Sequence, residues 1–189
     1  DVLMVRRSEE GRRATQHMDF LQSRQALKRK LIILGLGNVL LGDEGFGVHF
    51  VRWFEKRHAL PPGVEAVDGG TLGYGLLPVL TECEKAVVID AIRLDDEPGS
   101  VYRFGREEMA LYMPPPTSAH EVEFAHVLCQ ADLMGEEPEV FFLCIVPKSW
   151  GNLDPGMTPL MEEKFPLFER LLLEELGRQG IVPEERCHA

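Results

Sequence analysis

What the sequence lacks narrows it first. Its four cysteines, Cys83, Cys129, Cys144 and Cys187, lie far apart and form no C-x-x-C pair, which excludes a zinc knuckle, a dithiol redox motif and a disulfide scaffold. Reduced thiols in a cytoplasmic protein are therefore expected, with Cys129 and Cys144 as plain core residues. No apolar run approaches the roughly 18 residues of a spanning helix, and nothing near the start has the layout of a signal peptide, so no membrane insertion is expected. There is no G-x-x-x-x-G-K-[ST] loop, no H-E-x-x-H pair and no Ser-His-Asp arrangement, which leaves nucleoside-triphosphate chemistry and an independent zinc or serine peptidase mechanism unsupported.

What is present begins with charge. The 189 residues carry a net charge of −11. Residues 1–30 hold eight Lys or Arg against four Asp or Glu, a surplus of four positive charges that leaves −15 on the rest. An acidic body repels phosphate backbones, which argues against nucleic acid as a partner. The first thirty residues are polar and lack sustained periodicity; they are expected to form a loosely ordered arm or an engineered remnant, with a helical turn around Phe20 to Leu27. Residues 31–189 are the expected folded domain, long enough to bury about 70% of the surface of the unfolded chain.

From Lys30 the pattern changes. "LIILGLG" is a short continuous apolar run ending in glycine, as in a parallel strand covered on both faces. Phe46, Phe50, Trp53 and Phe54 then recur at i, i+4, i+7 and i+8, one apolar stripe of a helix. "VEAVDGG" is a second strand, "YGLLPVLTEC" a second helix with Pro78 near its first turns, and "KAVVIDAI" a third strand. "SVYRFG" alternates as an edge strand does. A proline-rich loop, "MPPPTSAH", leads to a helix from Ala119 to Met134. "EVFFLCIVP" is another buried strand, and Thr158 to Gly177 is helix, restarted at Pro166 and closed by Gly177. Strands alternating with helices at this spacing predict one α/β domain, a largely parallel twisted sheet with helices on both faces.

In such sheets ligands bind beyond the carboxyl ends of the strands. The acids and histidine passing that filter are Asp43 and Glu44 after strand one, Asp68 after strand two, Asp90 at the end of strand three, and His120 before the helix that leads to the last strand. A phosphate-binding reading of Gly35 and Gly37 fails, because position 40 of the G-x-G-x-x-G pattern is Leu40 and two carboxylates near the helix start would repel a pyrophosphate. No nucleotide cofactor is expected. Of the two acids, Asp43 is assigned to capping the helix. Glu44 is assigned to the site, where the helix dipole favours its ionised form.

Asp90 ends an apolar strand and needs hydrogen bonds, a cation or a metal to offset desolvation; a cap on the next backbone turn is its simpler use. Ser118 and Glu121 form a capping box that sets His120 in the first helical turn, where the amide dipoles keep the imidazole neutral and able to bind a metal. A surface histidine is the alternative there. Glycines 69 and 70 permit a tight strand exit. One imidazole and two carboxylates suit a borderline divalent ion such as nickel, zinc or non-haem iron, held weakly.

The motifs "GLGNVLLGDEGFGV", "VDGGTLGYGLLP", "VVIDAI" followed by "EPGSVYRF", and "SAHEVEFAHVL", in this order, make the chain from Leu31 to about Val182 resemble the nickel-iron hydrogenase maturation endopeptidases. That resemblance implies a protease that trims a carboxy-terminal extension from the precursor of the hydrogenase large subunit once nickel is installed. It also implies that Glu44, Asp90 and His120 contact nickel that the precursor brings, with no tightly held resident metal. Asp68, Gly69, Gly70 and Thr71 are implied to recognise the substrate. Hydrolysis of the peptide bond by water polarised by the metal would follow. Two rivals remain at this level. A peptidyl-tRNA hydrolase also opens with a strand and G-L-G-N, but should show a histidine soon after Asn38 and a basic groove. A non-enzymatic nickel chaperone would use the same three ligands.

Overall fold

The computed structural model describes residues 28–112 and 119–186, with the helical backbone alone for 110–112 and 119–123. The expected arm up to residue 27, the proline-rich loop and Cys187 lie outside the described residues. The elements in chain order are β1 (Arg29–Leu36), α1 (Phe46–Arg57), β2 (His58–Ala59), β3 (Val64–Gly70), α2 (Leu77–Thr81), β4 (Cys83–Ala91), β5 (Val101–Gly105), α3 (Arg106–Tyr112), α4 (Ala119–Leu133), β6 (Glu139–Ile145), α5 (Pro159–Glu162), α6 (Phe165–Arg178) and β7 (Glu184–Glu185). Short 3-10 turns at Gly42–Gly45 and Gly73–Leu76 precede α1 and α2.

Five strands form one sheet in the order β3-β1-β4-β6-β5. β3, β1, β4 and β6 are parallel, and β5 closes one edge antiparallel to β6. The side-chain period of two divides each strand between two cores. Leu31 and Ile33 of β1, Val87 and Ile89 of β4, and Leu143 and Ile145 of β6 face α1 and α6. Ile32, Leu34 and Leu36, Ala86 and Val88, and Phe142 and Cys144 face α2 and α4. Both faces are covered, which is why these strands read as unbroken apolar runs.

The aromatic stripe of α1 packs as its spacing predicts. Phe46 and Phe50 meet Phe165 and Phe168 of α6 edge-on at ring separations of 4.7–5.6 Å, a favoured arrangement for aromatic pairs. Trp53 is half-buried over Phe165. Glu169 of α6 also holds the end of α1 and the start of β2, accepting from Arg57 Nε at 3.1 Å and His58 Nε2 at 2.8 Å. Burial pushes the Glu169 carboxyl up, but the hydrogen bonds from His58 and Arg57 outweigh it and hold the group below its ordinary range. Glu175, buried on α6, pairs with Arg103 of β5 and Arg178.

Four details differ from the sequence reading. Gly177 does not close α6; the helix runs on to Arg178, and the left-handed residue after it is Gly180 at φ 70°. Cys129 is not a core residue but lies exposed on α4, whereas Cys83 and Cys144 are buried. The period explains it, since α4 buries Phe124, Val127, Leu128 and Ala131 and turns position 129 outward. The two-residue antiparallel pairing of β2 with β7 carries too short a pattern to be visible in the sequence. β1 begins at Arg29, so Arg29 and Lys30 are strand residues. Among the described residues no helix is long and apolar enough to cross a membrane.

Candidate active site

The site is organised by where β1, β3 and β4 end. Gly35 of β1 lies between Asp68 of β3 and Ile89 of β4, so Asp68 and Asp90 lie near the carboxyl ends of the strands on either side of the β1 exit. The chain then turns back on itself. Gly37 takes a φ of 121°, and a Cβ there would stand 1.8 Å from the carbonyl oxygen of Glu44. A Cβ at Gly47 would stand 2.0 Å from the carbonyl oxygen of Ile89 and 2.5 Å from that of Leu36. Only glycines let the first turn of α1 rest directly on the ends of β1 and β4. Glu44, three residues before Gly47, is thereby brought to the end of β4 that carries Asp90. The glycines serve this close approach.

Asp43 and Glu44 are both buried, at 0% and 3% exposure. Glu44 Oε1 accepts from the backbone N–H of Gly151 at 2.6 Å. Asp90 is also buried, and its Oδ1 accepts from the N–H of Ala91, the last residue of β4, at 2.8 Å. Asp43 does not cap α1, whose start has no side-chain cap. Its Oδ2 accepts from the N–H groups of Lys148 and Ser149 at 3.1 and 2.9 Å and from Thr158 Oγ1 at 3.0 Å, and its Oδ1 accepts from the Thr158 N–H at 2.7 Å. The acid is a clamp for the 146–158 loop that follows β6. Sequence reasoning missed this because the donors are backbone groups more than a hundred residues away.

The turn after β3 divides in two. Gly69 is buried, and a Cβ there would stand 2.7 Å from Leu34 and 2.9 Å from Leu36, while Gly70 holds a φ of 43°; for these glycines the conformational need is visible. Asp68 is on the surface, paired with Arg52 at 2.5 Å, and Thr71 is exposed. His120 is the second residue of α4. A short connection returns α4 to the amino end of β6, so its first turn lies toward the carboxyl ends of the strands. The side chain of His120 lies outside the described residues, and among the described residues no group of three His, Cys, Asp or Glu is assembled to hold a metal.

His49, passed over in the sequence, sits one turn into α1 with its Cδ2 close to Gly45. Its Nε2 is buried and unpartnered among the described residues. Burial, then the charge of Arg52, pushes its pKa down against the opposing pull of Asp68 and Glu162. The shift favours the neutral imidazole.

A family profile described as hydrogenase maturation protease matches residues 48–175, a span that includes Asp90 and His120 and begins four residues after Glu44. The hydrogenase 2 maturation protease of Escherichia coli is 35% identical over 166 residues, covering 84% of this chain and 99% of that protein. A hydrogenase expression/formation protein HupD of Bradyrhizobium diazoefficiens is 32% identical over 162 residues, 83% of each. Among solved structures, the hydrogenase maturating endopeptidase HybD of E. coli superposes with a TM-score of 0.79 at 31% identity, covering 83% of this chain and 98% of that one. The [NiFe] hydrogenase maturation protease HybD of Thermococcus kodakarensis does so with a TM-score of 0.64 at 27% identity, covering 78% and 98%.

Proposed function

We propose, for a chain that belongs to the hydrogenase maturation protease family, that it removes a carboxy-terminal extension from the precursor of a nickel-iron hydrogenase large subunit after nickel insertion. Membership makes it a hydrolase acting as an endopeptidase and leaves a peptidyl-tRNA hydrolase reading without support. The observation that supports the nickel reading is that two acids, Glu44 and Asp90, are buried, on segments whose backbones the glycines bring together at the carboxyl edge of the sheet. Buried carboxylates need compensation. Among the described residues Glu44 accepts one hydrogen bond, from the Gly151 N–H at Oε1, and a carboxylate has acceptor capacity beyond that for a cation.

In this reading Glu44, Asp90 and His120 are the residues that meet the precursor's nickel, and none of them holds a resident metal. The ion supplies positive charge that fixes the precursor's cleavage segment over this edge and favours attack on its peptide carbonyl. Glu44 is held in place from below by Gly151, and Asp90 by Ala91. A precursor without nickel lacks the anchor and escapes cutting. Asp68, Gly69, Gly70 and Thr71 border the same edge and are assigned to recognising the substrate, with the two glycines setting the turn and Asp68 and Thr71 facing outward. The activity is assigned to the domain from residue 31 onward and the reaction to the cytoplasm, which the free thiols of Cys83, Cys129 and Cys144 favour.

The test is to incubate the purified protein with nickel-loaded precursor and follow the precursor's mass. Loss of the extension with the wild type, and none with His120→Ala at an unchanged circular dichroism spectrum, supports the reading. An extension left attached by the wild type identifies a nickel chaperone instead, and normal trimming by His120→Ala removes that residue from the site.

A further inference from the structure

Seven large apolar side chains stand exposed among the described residues. Four of them lie on loops at the carboxyl edge of the sheet: Leu40 after β1, Leu72 and Tyr74 after β3, and Leu153 after β6, at 59%, 59%, 54% and 88% exposure. Single exposed leucines are ordinary; the placement of these is not. Leu41 and Asp154 form a parallel bridge, so Leu40 and Leu153, one step before each partner, lie on neighbouring strands of chain about 5 Å apart. The turn bearing Leu72 and Tyr74 is joined to the same β1 exit by the Gly37 N–H on the carbonyl of Gly70, at 3.1 Å.

The backbone beneath Leu153 is fixed. Asp43 holds the loop at Lys148, Ser149 and Thr158, Glu44 holds it at Gly151, and a Cβ at Gly42 would stand 3.2 Å from the carbonyl oxygen of Asp154. Leucines displayed on a preorganised backbone lose little freedom when they are covered.

We propose that Leu40 and Leu153, with Leu72 and Tyr74 across the β1 exit, form an apolar contact for the extended segment of the precursor that flanks the cleaved bond. This rests on the function proposed above. The occupant follows from continuity: the loops that carry these side chains are the loops that carry and hold Glu44, so a polypeptide drawn across that carboxylate crosses the leucines. Covering these exposed leucines would remove apolar surface from water, a source of affinity at this rim.

Steady-state cleavage of nickel-loaded precursor by Leu40→Ser/Leu153→Ser tests it. The expected result is a KM raised about tenfold or more, which corresponds to about 1.4 kcal/mol, with kcat within about twofold of wild type, the signature of lost uniform binding. Leu133→Ser/Met134→Ser, a pair exposed at the far end of α4, should leave both constants unchanged. Thermal melts of both variants should match the wild type, since the side chains are exposed. Unchanged KM in the first variant, with wild-type cleavage intact, overturns the docking contact and leaves the protease reading standing. No cleavage by the wild type defeats that reading itself. A wild-type dimer that the first variant dissociates without a change in KM assigns the patch to self-association and also overturns the proposal.

Discussion

Replacing Asp43 by alanine strikes the clamp on which the carboxylate edge depends. The side chain is fully buried and accepts four hydrogen bonds, three from backbone N–H groups and one from Thr158 Oγ1. A buried donor left unpaired costs about 1–3 kcal/mol. The 146–158 loop can relax toward water and recover part of that, so the expected loss for Asp43→Ala is about 3–5 kcal/mol. In a domain of this size each kcal/mol moves the melting temperature by about 2–4 °C, which gives a fall of about 6–20 °C. Asp43→Asn keeps the shape but turns an amide N–H toward backbone donors, and should cost about 2 kcal/mol or more. Urea denaturation supplies the free energies, and trypsin supplies a local reading. The Lys148–Ser149 bond, whose two N–H groups both bind Asp43, should be cut faster in either variant under native conditions. An Asp43→Ala protein within about 0.5 kcal/mol of wild type, with Lys148 still protected, would refute the clamp.

Further outcomes follow from the same contacts. Gly47→Ala places a Cβ 2.0 Å from a backbone oxygen that cannot yield; α1 must lift from the sheet, with an expected loss of about 3 kcal/mol or more, read by thermal denaturation. Burial pushes the Glu175 carboxyl up, yet its bonds to Arg103, Gln179 and Arg178 hold it below the ordinary 4.5. A carboxyl lowered in the folded state stabilises above its unfolded value and loses that contribution as the pH falls through the folded value. Glu175→Gln should therefore be less stable than wild type at pH 7, with the gap narrowing below about pH 4.5; a gap constant from pH 7 to pH 3.5 in urea titrations contradicts this. Burial pushes the Cys83 thiol up to about 11. Thiol labelling of the native protein should reach exposed Cys129 and spare Cys83 and Cys144 until unfolding, and Cys129→Ser should shift stability by less than about 0.5 kcal/mol.

The parts of the molecule legible in its sequence are those fixed by local periodicity. The run from Leu31 to Leu36 and the stripe of Phe46, Phe50 and Phe54 carry their own burial pattern, because a strand covered on both faces and a helix covered on one each impose a repeat that neighbouring residues display. The edge position of β5 showed in the alternation of "SVYRFG" for the same reason. The placement of Glu44 and Asp90 at one edge was legible because parallel strands deliver their carboxyl ends to one side. What stayed hidden depends on partners remote in the chain. Asp43 looks like any acid before a helix until the N–H groups of Lys148, Ser149 and Thr158 are brought to it. His58 shows nothing of its bond to Glu169, and the pairing of Leu40 with Leu153 exists only through the bridge between their loops. Cys129 reads as a core residue by type, whereas helical phase turns it outward together with His126 and Gln130.

The most direct test compares one precursor with and without nickel, treated with the wild type and with Glu44→Gln, and weighs the products by mass spectrometry. The account predicts that the extension is lost only from the nickel-loaded precursor and only with the wild type, while Glu44→Gln keeps the wild-type fold and cuts at least about a hundredfold more slowly, as expected when an interaction specific to the reacting complex is removed. Equal trimming of the nickel-free precursor, or wild-type rates from Glu44→Gln, would contradict it.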